Sequence, residues 1–258
     1  MHWVFLNTGY NDGRFNMSFD ESLALSLVTG GESPAVRVYG WRPPAISFGW
    51  NQRPEEIDTL KAERDGMDVV RRPTGGRAIL HSEELTYSVA MVTTAKNIQE
   101  VYNDISRALV LGLKKLGADV ALVKSQPHFP TLYKSTSSAA CFSSSARYEI
   151  QINGKKLVGS AQRRYIGKDA NEVVLQHGSL LLGPDHKRLT DYLMLQDDRD
   201  RARLKQDMND KTTDLSEALE REVSFEECAE AVKFGFEKAW QIRFETTSPE
   251  SIMSGANA

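Results

Sequence analysis

Residues 71–81 read RRPTGGRAILH, and this stretch says more about the fold than any other part of the chain. Two valines lead into it with the character of a strand, Pro73 interrupts strand pairing, and residues 78–81 are again extended in character. Gly75-Gly76 permits backbone conformations that other residues avoid, and three arginines surround the pair. A turn of this kind lets a ligand lie against the backbone while cations hold its polar end. The alternative is an ordinary hairpin with a Gly-Gly turn.

The composition indicates a soluble protein of the cytoplasm. The chain has 258 residues, a hydrophobic fraction of 40% and a formal net charge of −3, which argues against a dedicated nucleic-acid binder. No apolar run approaches the ~20 residues that span a bilayer, and the first residues lack the basic region and apolar core of a signal peptide. We therefore expect neither nucleic acid nor a membrane as a partner.

The order of strands and helices predicts an α+β fold with a mixed β-sheet and flanking helices. Asn16 is placed to cap a first helix, apolar spacing predicts a second over residues 98–116, and a Ser224/Glu227 capping box predicts a third. We predict one domain over residues 1–245, whose residues 185–240 supply C-terminal helices, and a disordered tail over residues 246–258. Strand-like patterns cover residues 35–39, 45–49, 85–92, 148–152, 155–162 and 173–182.

Cys141 stands among small and hydroxylated residues, as in a loop that must let another molecule approach. A free thiol has a pKa of about 8.5, so a nearby cation would raise its thiolate fraction at neutral pH. Cys141 is therefore a candidate nucleophile, and the alternative is an inert residue in a serine-rich loop. Cys228 borders the apolar face of the last helix, which predicts structural burial. Two cysteines are too few for a disulfide scaffold, and no metal-ligand spacing surrounds them.

A pair of lysines follows the predicted hairpin turn at residues 153–154. A strand lysine beside small residues can face a cleft and carry protons, although a lysine after a turn is usually solvated. In a two-residue hairpin Lys156 shares a face with Gln151, and Lys155 does not. That geometry does not by itself bring Lys156 to Cys141.

His81 and His177 are the two histidines in strand-like context. Either can pair with a cysteine for nucleophilic catalysis, but a strand histidine beside glycine is more often a hydrogen-bonded structural residue. The chain contains no Walker-type phosphate loop, zinc motif or Gly-x-Ser-x-Gly elbow.

Taken together, four segments resemble the lipoate–protein ligase A / biotin ligase superfamily, most closely its cysteine-dependent octanoyltransferases of the LipM type. NMSFDESL at residues 16–23 is similar to the family's first helix, and YGWRPPAISFG at residues 39–49 to its next block. Residues 71–76 match the family's Arg-Arg-x-x-Gly-Gly, and KLVGSAQ at residues 156–162 matches its lysine strand. The resemblance extends to about Trp240.

The segment around Cys141 separates the branches of that superfamily. Residues 139–142, AACF, resemble the Ser-x-Cys-Phe of the octanoyltransferases, whereas ATP-dependent ligases have a different sequence before the lysine strand. Two departures bear on loop geometry and donor preference. Ser82 replaces a commonly acidic residue, and three serines at residues 143–145 replace an Asp-Ala-Pro-like stretch.

The resemblance implies the class II synthetase-related catalytic fold and protein lipoylation as the function. Octanoate would pass from acyl carrier protein through a thioester on Cys141, supported by Lys156, to a lysine of a lipoyl domain, with neither ATP nor a metal required. The implied acceptors are the glycine cleavage H protein or the E2 subunits of 2-oxoacid dehydrogenases. Arg163, Arg164 and Lys168 are candidates for steering the acidic carrier proteins. The alternative is that they form a solvated basic loop. The substrate-binding residues are expected to be Arg72, Gly75, Gly76, Arg77, His81, Gly159, Ser160, Ala161, His177 and Gly178.

Three alternatives stay open at this point. An ATP-dependent lipoate–protein ligase, in which Cys141 would be incidental, is distinguished by its need for ATP and by an acyl-adenylate. A lipoyl or octanoyl amidotransferase would take its acyl group from an already modified protein. A non-catalytic acyl-binding protein would have kept the fold alone.

Overall fold

The computed structural model describes residues 2–31, 33–94, 96–124 and 148–245. Cys141 and the tail predicted over residues 246–258 lie outside them. The described strands are β1 (Trp3–Asn11), β2 (Ala35–Trp41), β3 (Ala45–Phe48), β4 (Asp68–Arg71), β5 (Ile79–His81), β6 (Glu84–Thr93), β7 (Ala121–Lys124), β8 (Tyr148–Ile152), β9 (Lys155–Ile166), β10 (Glu172–Leu181) and β11 (Phe244–Glu245). The described α-helices are α1 (Gly13–Val28), α2 (Thr59–Arg64), α3 (Ile98–Lys115), α4 (Asp198–Lys211), α5 (Leu215–Leu219) and α6 (Phe225–Trp240).

The described strands form two sheets. The large sheet has the order β11-β1-β2-β6-β10-β9-β8-β7, and the small sheet has the order β4-β3-β5. In the large sheet β1 runs parallel to both β11 and β2, whereas β2, β6, β10, β9, β8 and β7 pair antiparallel in turn. The predicted α+β fold with a mixed sheet is confirmed. In the described part of the chain, no helix is both long and apolar enough to cross a membrane.

The two faces of the large sheet bury apolar side chains against different helices. Val36 and Val38 pack with residues of α3 and α6 in the main core, which contains Leu109 and Phe236. Ala35 packs with α1 on the other face. Because successive residues of a strand point to opposite faces, the polar residues that alternate with these valines lie on the α1 face. That face holds the buried polar groups described below.

Helix α1 begins earlier than the sequence predicts. Asp12 is its N-cap and accepts a hydrogen bond from the backbone N–H of Phe15 at 2.7 Å. Asn16 lies inside the helix, fully buried, and its side chain donates to the carbonyl oxygens of Asn11 and Gly40. The prediction of Asn16 as the cap was wrong because an aspartate four residues earlier caps the helix, while tertiary contacts satisfy the amide of Asn16.

The glycine turn differs from one local expectation, and the start of α6 agrees with another. The strands on either side of the glycine turn, β4 and β5, do not pair with each other; both pair with β3, one parallel and one antiparallel. The hairpin alternative for residues 71–81 is therefore wrong. Ser224 caps α6 as predicted, and the carboxylate of Glu227, which pairs with Arg221 at 2.7 Å, also accepts a hydrogen bond from the backbone of Ser224.

Candidate active site

A small and mostly apolar cavity lies between the α1 face of the large sheet and the small sheet. It encloses about 330 Å³ of empty space, including its mouth. Met17 of α1, Trp41 of β2 and Ile79 of β5 contribute apolar walls. Seven of the residues predicted to bind substrate line it: Arg72, His81, Gly159, Ser160, Ala161, His177 and Gly178.

The other three predicted residues of the glycine turn lie behind that lining. The guanidinium of Arg72 donates to the carbonyl oxygens of Gly75 (2.9 Å) and Arg77 (2.7 Å). The side chain of Arg77 pairs with Glu56 at 3.1 Å. The backbone of Gly75-Gly76 is thus shaped by Arg72, which itself faces the cavity.

A first chain of buried hydrogen bonds connects α1 to the glycine turn. Asp20 pairs with Arg37 at 2.8 Å, and both side chains have no exposed surface. Its second oxygen lies 3.0 Å from Nδ1 of His177, and Nε2 of that ring lies 2.6 Å from the hydroxyl of Thr74. The carbonyl oxygen of Thr74 accepts from the backbone N–H of Trp50. The position of the turn therefore depends on an aspartate of the first helix.

The buried charges along this series of hydrogen bonds determine where the protons lie on Asp20 and His177. Burial alone would raise the pKa of Asp20, but the charge of Arg37 and hydrogen bonds from His177 and Ser88 outweigh it, so the pKa is lowered. Burial lowers the pKa of His177, only partly opposed by Asp20. His177 is therefore neutral at pH 7, donating from Nδ1 to Asp20 and accepting from the Thr74 hydroxyl at Nε2.

A second chain of the same kind holds the small sheet. Nε2 of His81 lies 2.7 Å from the Ser47 hydroxyl, and Nδ1 lies 2.8 Å from Glu84. Arg72 donates to the same hydroxyl at 3.1 Å, which directs the hydroxyl proton toward His81. The imidazole also stacks on Trp41 with 4.0 Å between ring centres. Both histidines are thus buried and hydrogen-bonded on both ring nitrogens. This agrees with the expectation of structural histidines.

Lys156 faces the same side of the sheet as the cavity because β9 contains a bulge. Ile150 pairs with Val158 while Gln151 pairs with Lys156, so β9 carries one more residue than β8 between these pairs. Val158 lies in the main core on the α3 and α6 face, as Ile150 does. The extra residue therefore turns Lys156 to the opposite face, roughly 10 Å along β9 from Gly159.

The side chain of Lys156 is buried in an ion pair. Its Nζ lies 3.0 Å from a carboxylate oxygen of Glu149, and the two side chains are 4% and 5% exposed. Lys155 instead pairs with Glu217 at the surface, where they are 35% and 47% exposed. Lys156 is therefore buried and not solvated, although it does not line the cavity, and the solvated expectation fits Lys155. Cys141, the predicted partner of Lys156, lies outside the described residues.

Residues 12–237 match the family of lipoyl protein ligase A/B catalytic domains. The chain belongs to this family. The matched range includes all the residues of the cavity and of the ion pair described above.

Curated relatives and solved structures agree with this membership. Octanoyltransferase LipM of Geobacillus kaustophilus is 40% identical over 250 residues, covering 94% of this chain and 88% of that protein. Octanoyltransferase LipM of Staphylococcus aureus is 36% identical over 250 residues, with the same coverage. A bipartite lipoate protein ligase of Thermoplasma acidophilum gives a TM-score of 0.79 at 22% identity, covering 100% of this chain and 91% of that one. Lipoate-protein ligase A bound with ATP gives 0.77 at 22% identity, covering 100% and 93%. At such identities the solved structures share the fold.

The basic residues proposed to steer carriers do not form a loop, because Arg163 and Arg164 belong to β9 and only Lys168 follows it. Arg163 donates to the carbonyl oxygen of Pro73 at 3.1 Å, and its guanidinium stacks over Trp50, 4.9 Å from the ring centre. Arg164 pairs with Glu172, and Lys168 is exposed. Arg163 thus lies at the glycine turn, whereas Arg164 is neutralised by its partner.

Sequence reasoning missed several residues that hold the cavity wall and the buried lysine. The sequence patterns placed Asp20 in a helix and Arg37 in a strand, and they placed Glu149 in an alternating strand. They indicated no further role for these three residues. The proximity of Glu149 to Lys156 could have been predicted, because Glu149 shares a strand face with Gln151 and the predicted hairpin pairs Gln151 with Lys156. The partners of Asp20 come from three distant segments, and no local pattern links them. Cys228 is fully buried as predicted, and burial raises the pKa of its thiol.

His177 is expected to make stability depend on pH below about 6.5. Its pKa is lower in the folded protein than the ~6.5 of an unfolded chain, so between the two values the unfolded state binds more protons. The free energy of unfolding of the wild type should therefore fall as the pH falls through that window. His177→Gln should flatten this dependence in urea unfolding between about pH 7.5 and 5, a range that stays above the titration of Asp20. An unchanged slope would contradict the neutral imidazole.

The glycine turn offers a second test, through Gly49 at the end of β3. A Cβ at Gly49 would lie 2.1 Å from the carbonyl oxygen of Gly76, whereas a Cβ at Gly75 would meet no atom within 4 Å. Gly49→Ala is expected to lower the free energy of unfolding by about 1–3 kcal/mol, because the turn or β3 must shift. The control Gly75→Ala should change it by no more than about 0.5 kcal/mol. Equal effects in denaturant titrations would refute this close approach.

Proposed function

We propose that this protein is an octanoyltransferase of protein lipoylation. It takes octanoate from acyl carrier protein and delivers it to a lysine of a lipoyl domain. The observation that carries the proposal is the pairing of an apolar cavity with a buried lysine on one face of the sheet. The names of the curated relatives, octanoyltransferases at 40% and 36% identity, support the same chemistry.

The proposed reaction has two balanced steps. The thiolate of Cys141 attacks the thioester carbonyl of the donor, a new thioester forms on Cys141, and the carrier's thiol departs with a proton. The lysine amine of the acceptor then attacks this thioester. An amide forms, the Cys141 sulfur leaves, and the proton lost by the amine returns to that sulfur. Because an amide is more stable than a thioester, we propose that neither ATP nor a metal takes part.

The proposed role of Lys156 is to supply a fixed positive charge to these steps. A cation near the sulfur favours its thiolate, and a cation near the acyl carbonyl stabilises the negative charge that develops on oxygen. Cys141 precedes the first residue of β8 by seven positions, so at most roughly 25 Å of chain separates it from the hairpin that carries Lys156. The thiol is thus within reach of this role.

The cavity is proposed to hold the hydrocarbon chain. Its glycines and Ala161 leave space beside β9 and β10, and its polar side chains are occupied with one another. Burying one methylene group contributes about 0.8 kcal/mol, which is roughly fourfold in affinity. Chain length should therefore be a real source of selectivity. His81 and His177 border the chain and receive no catalytic role.

The acceptors proposed are the glycine cleavage H protein or the E2 subunits of 2-oxoacid dehydrogenases. The runner-up function is an ATP-dependent lipoate–protein ligase, since two proteins of the same fold are named lipoate protein ligases and one of them was solved with ATP bound. An amidotransferase would differ from the proposed enzyme only in its donor. A non-catalytic acyl-binding protein would bind octanoate and transfer nothing.

Intact-protein mass spectrometry tests the proposal. The wild type and Cys141→Ala are each mixed with octanoyl-acyl carrier protein without ATP, and a lipoyl domain is added afterwards. The proposal expects an octanoyl adduct on the wild type only, which hydroxylamine removes and the lipoyl domain takes up. An acceptor modified only when ATP and free octanoic acid are supplied would identify a ligase and would overturn the role of Cys141.

A further inference from the structure

Glu149 holds Lys156 from the neighbouring strand. Its Oε1 lies 3.0 Å from Nζ of Lys156, and its Oε2 accepts a hydrogen bond from the amide of Gln151 at 3.2 Å. All three side chains share one face of the hairpin, since Gln151 pairs directly with Lys156. One oxygen of the carboxylate thus contacts the ammonium group, and the other is held by the amide of Gln151.

The surroundings of the pair keep water away from it. The backbone carbonyl of Lys156 accepts a hydrogen bond from the N–H of Thr213, and Thr212 forms a parallel bridge with Lys156. Thr212 and Thr213 are themselves buried. A charge so enclosed persists only when an opposite charge lies beside it, and an ion pair at a low local dielectric is held more rigidly than one in water.

We propose that Glu149 is a positioning residue for acyl transfer, which acts through Lys156. The proposal rests on the role given to Lys156 under Proposed function. Glu149 fixes the place of Nζ relative to the reacting carbonyl and sets a fixed negative charge beside it. Lys156 accordingly serves as a stationary cation, and the proton of the attacking amine passes to the departing sulfur instead of to Lys156.

The neighbouring lysine supplies a matched comparison. Lys155 also pairs with a glutamate, Glu217, but that pair lies at the surface, and Glu217 belongs to α5. Removing the carboxylate of Glu217 leaves a lysine that water can solvate. Removing that of Glu149 takes a negative charge away from an ammonium group whose side chain is only 4% exposed. Only the second change should alter catalysis.

The experiment measures kcat and KM for Glu149→Gln, Glu149→Asp and Glu217→Gln beside the wild type, with the folded state of each verified by circular dichroism. Each protein is assayed with octanoyl-acyl carrier protein without ATP, and separately with octanoic acid and ATP. We expect Glu149→Gln to lower kcat roughly 10- to 100-fold, the range caused by misplacing a reacting group by about 1 Å. KM for the donor should stay within about twofold, since Glu149 does not line the cavity.

The conservative variant Glu149→Asp separates positioning from a structural role. Glu149→Asp keeps the charge but is shorter by one methylene, so its kcat should lie between those of Glu149→Gln and the wild type, while KM for the donor stays within about twofold. Should Glu149→Gln fail to fold, the fall of kcat at constant KM in Glu149→Asp carries the test. Glu217→Gln should match the wild type within about twofold.

The outcomes for the two proposals are distinct. Activity without ATP that is unchanged by both Glu149 substitutions overturns the role of Glu149 and leaves the octanoyltransferase standing. Activity that needs ATP overturns the octanoyltransferase, and the Glu149 variants are then judged by the same criteria in that assay. A wild type inactive in both assays overturns both.

Discussion

Asp20→Ala is expected to lower the free energy of unfolding by about 3–5 kcal/mol, the range found when one partner of a buried ion pair is removed. The carboxylate accepts hydrogen bonds from Arg37, Tyr39, Ser88 and His177, and both it and Arg37 are fully buried. Without it the guanidinium of Arg37 is left enclosed without its counter-charge. The loss should exceed that of an ordinary helix substitution, which is about 1 kcal/mol.

Equilibrium unfolding in guanidinium chloride at pH 7 measures this effect. Asp207→Asn is the matched control, because Asp207 pairs with Lys211 at 2.9 Å on the partly exposed surface of α4. That change should alter stability by no more than about 0.5 kcal/mol. A loss of the same size in both variants would mean that the buried pair contributes no more than a surface one.

Lys156→Met is expected to lower the rate of octanoyl transfer by about 10²- to 10⁴-fold, if Lys156 supplies the charge proposed for it. The same substitution removes the positive charge beside the carboxylate of Glu149, so it should also destabilise the protein by about 3–5 kcal/mol. Loss of activity alone would therefore be ambiguous between chemistry and folding.

The double variant Lys156→Met with Glu149→Met separates the two effects. Replacing both members of a buried ion pair with apolar side chains is often neutral or stabilising, so the double variant should recover most of the lost stability. Its rate of octanoyl transfer should stay at the level of the single variant. Recovery of activity together with stability would show that Lys156 serves the fold and not the reaction.

The sequence predicted those parts of the fold that depend on neighbouring residues. The Asn-Gly turn at residues 153–154 predicted a two-residue hairpin and the pairing of Gln151 with Lys156, and both are confirmed. The apolar spacing in residues 98–116 predicted helix α3, and the position of Cys228 predicted its burial. In each case the deciding interactions lie within a few residues of one another.

The rest depends on contacts that sequence patterns do not carry. The bulge in β9 changes the facing of Lys156 relative to Val158, yet its residues have the same strand character with or without it. Asn16 has the side chain of a cap, but the tertiary position of Gly40 gives it a different partner. Among the site residues, only the resemblance to a family brought the glycine turn and the lysine strand together, and the hydrogen bonds of His177 and Asp20 stayed unforeseen.

The two hydrogen-bonded chains beside the cavity restrict how its ligand preference can evolve. Polar wall residues such as His81 and His177 hold the turn and the small sheet, so exchanging them to resize the cavity would also loosen its frame. The side chains of Met17, Ile79 and Ala161 also line the cavity, but they are apolar and belong to neither hydrogen-bonded chain. Adaptation to a longer or bulkier acyl group, in nature or in the laboratory, should therefore proceed through these three positions while the polar wall stays unchanged.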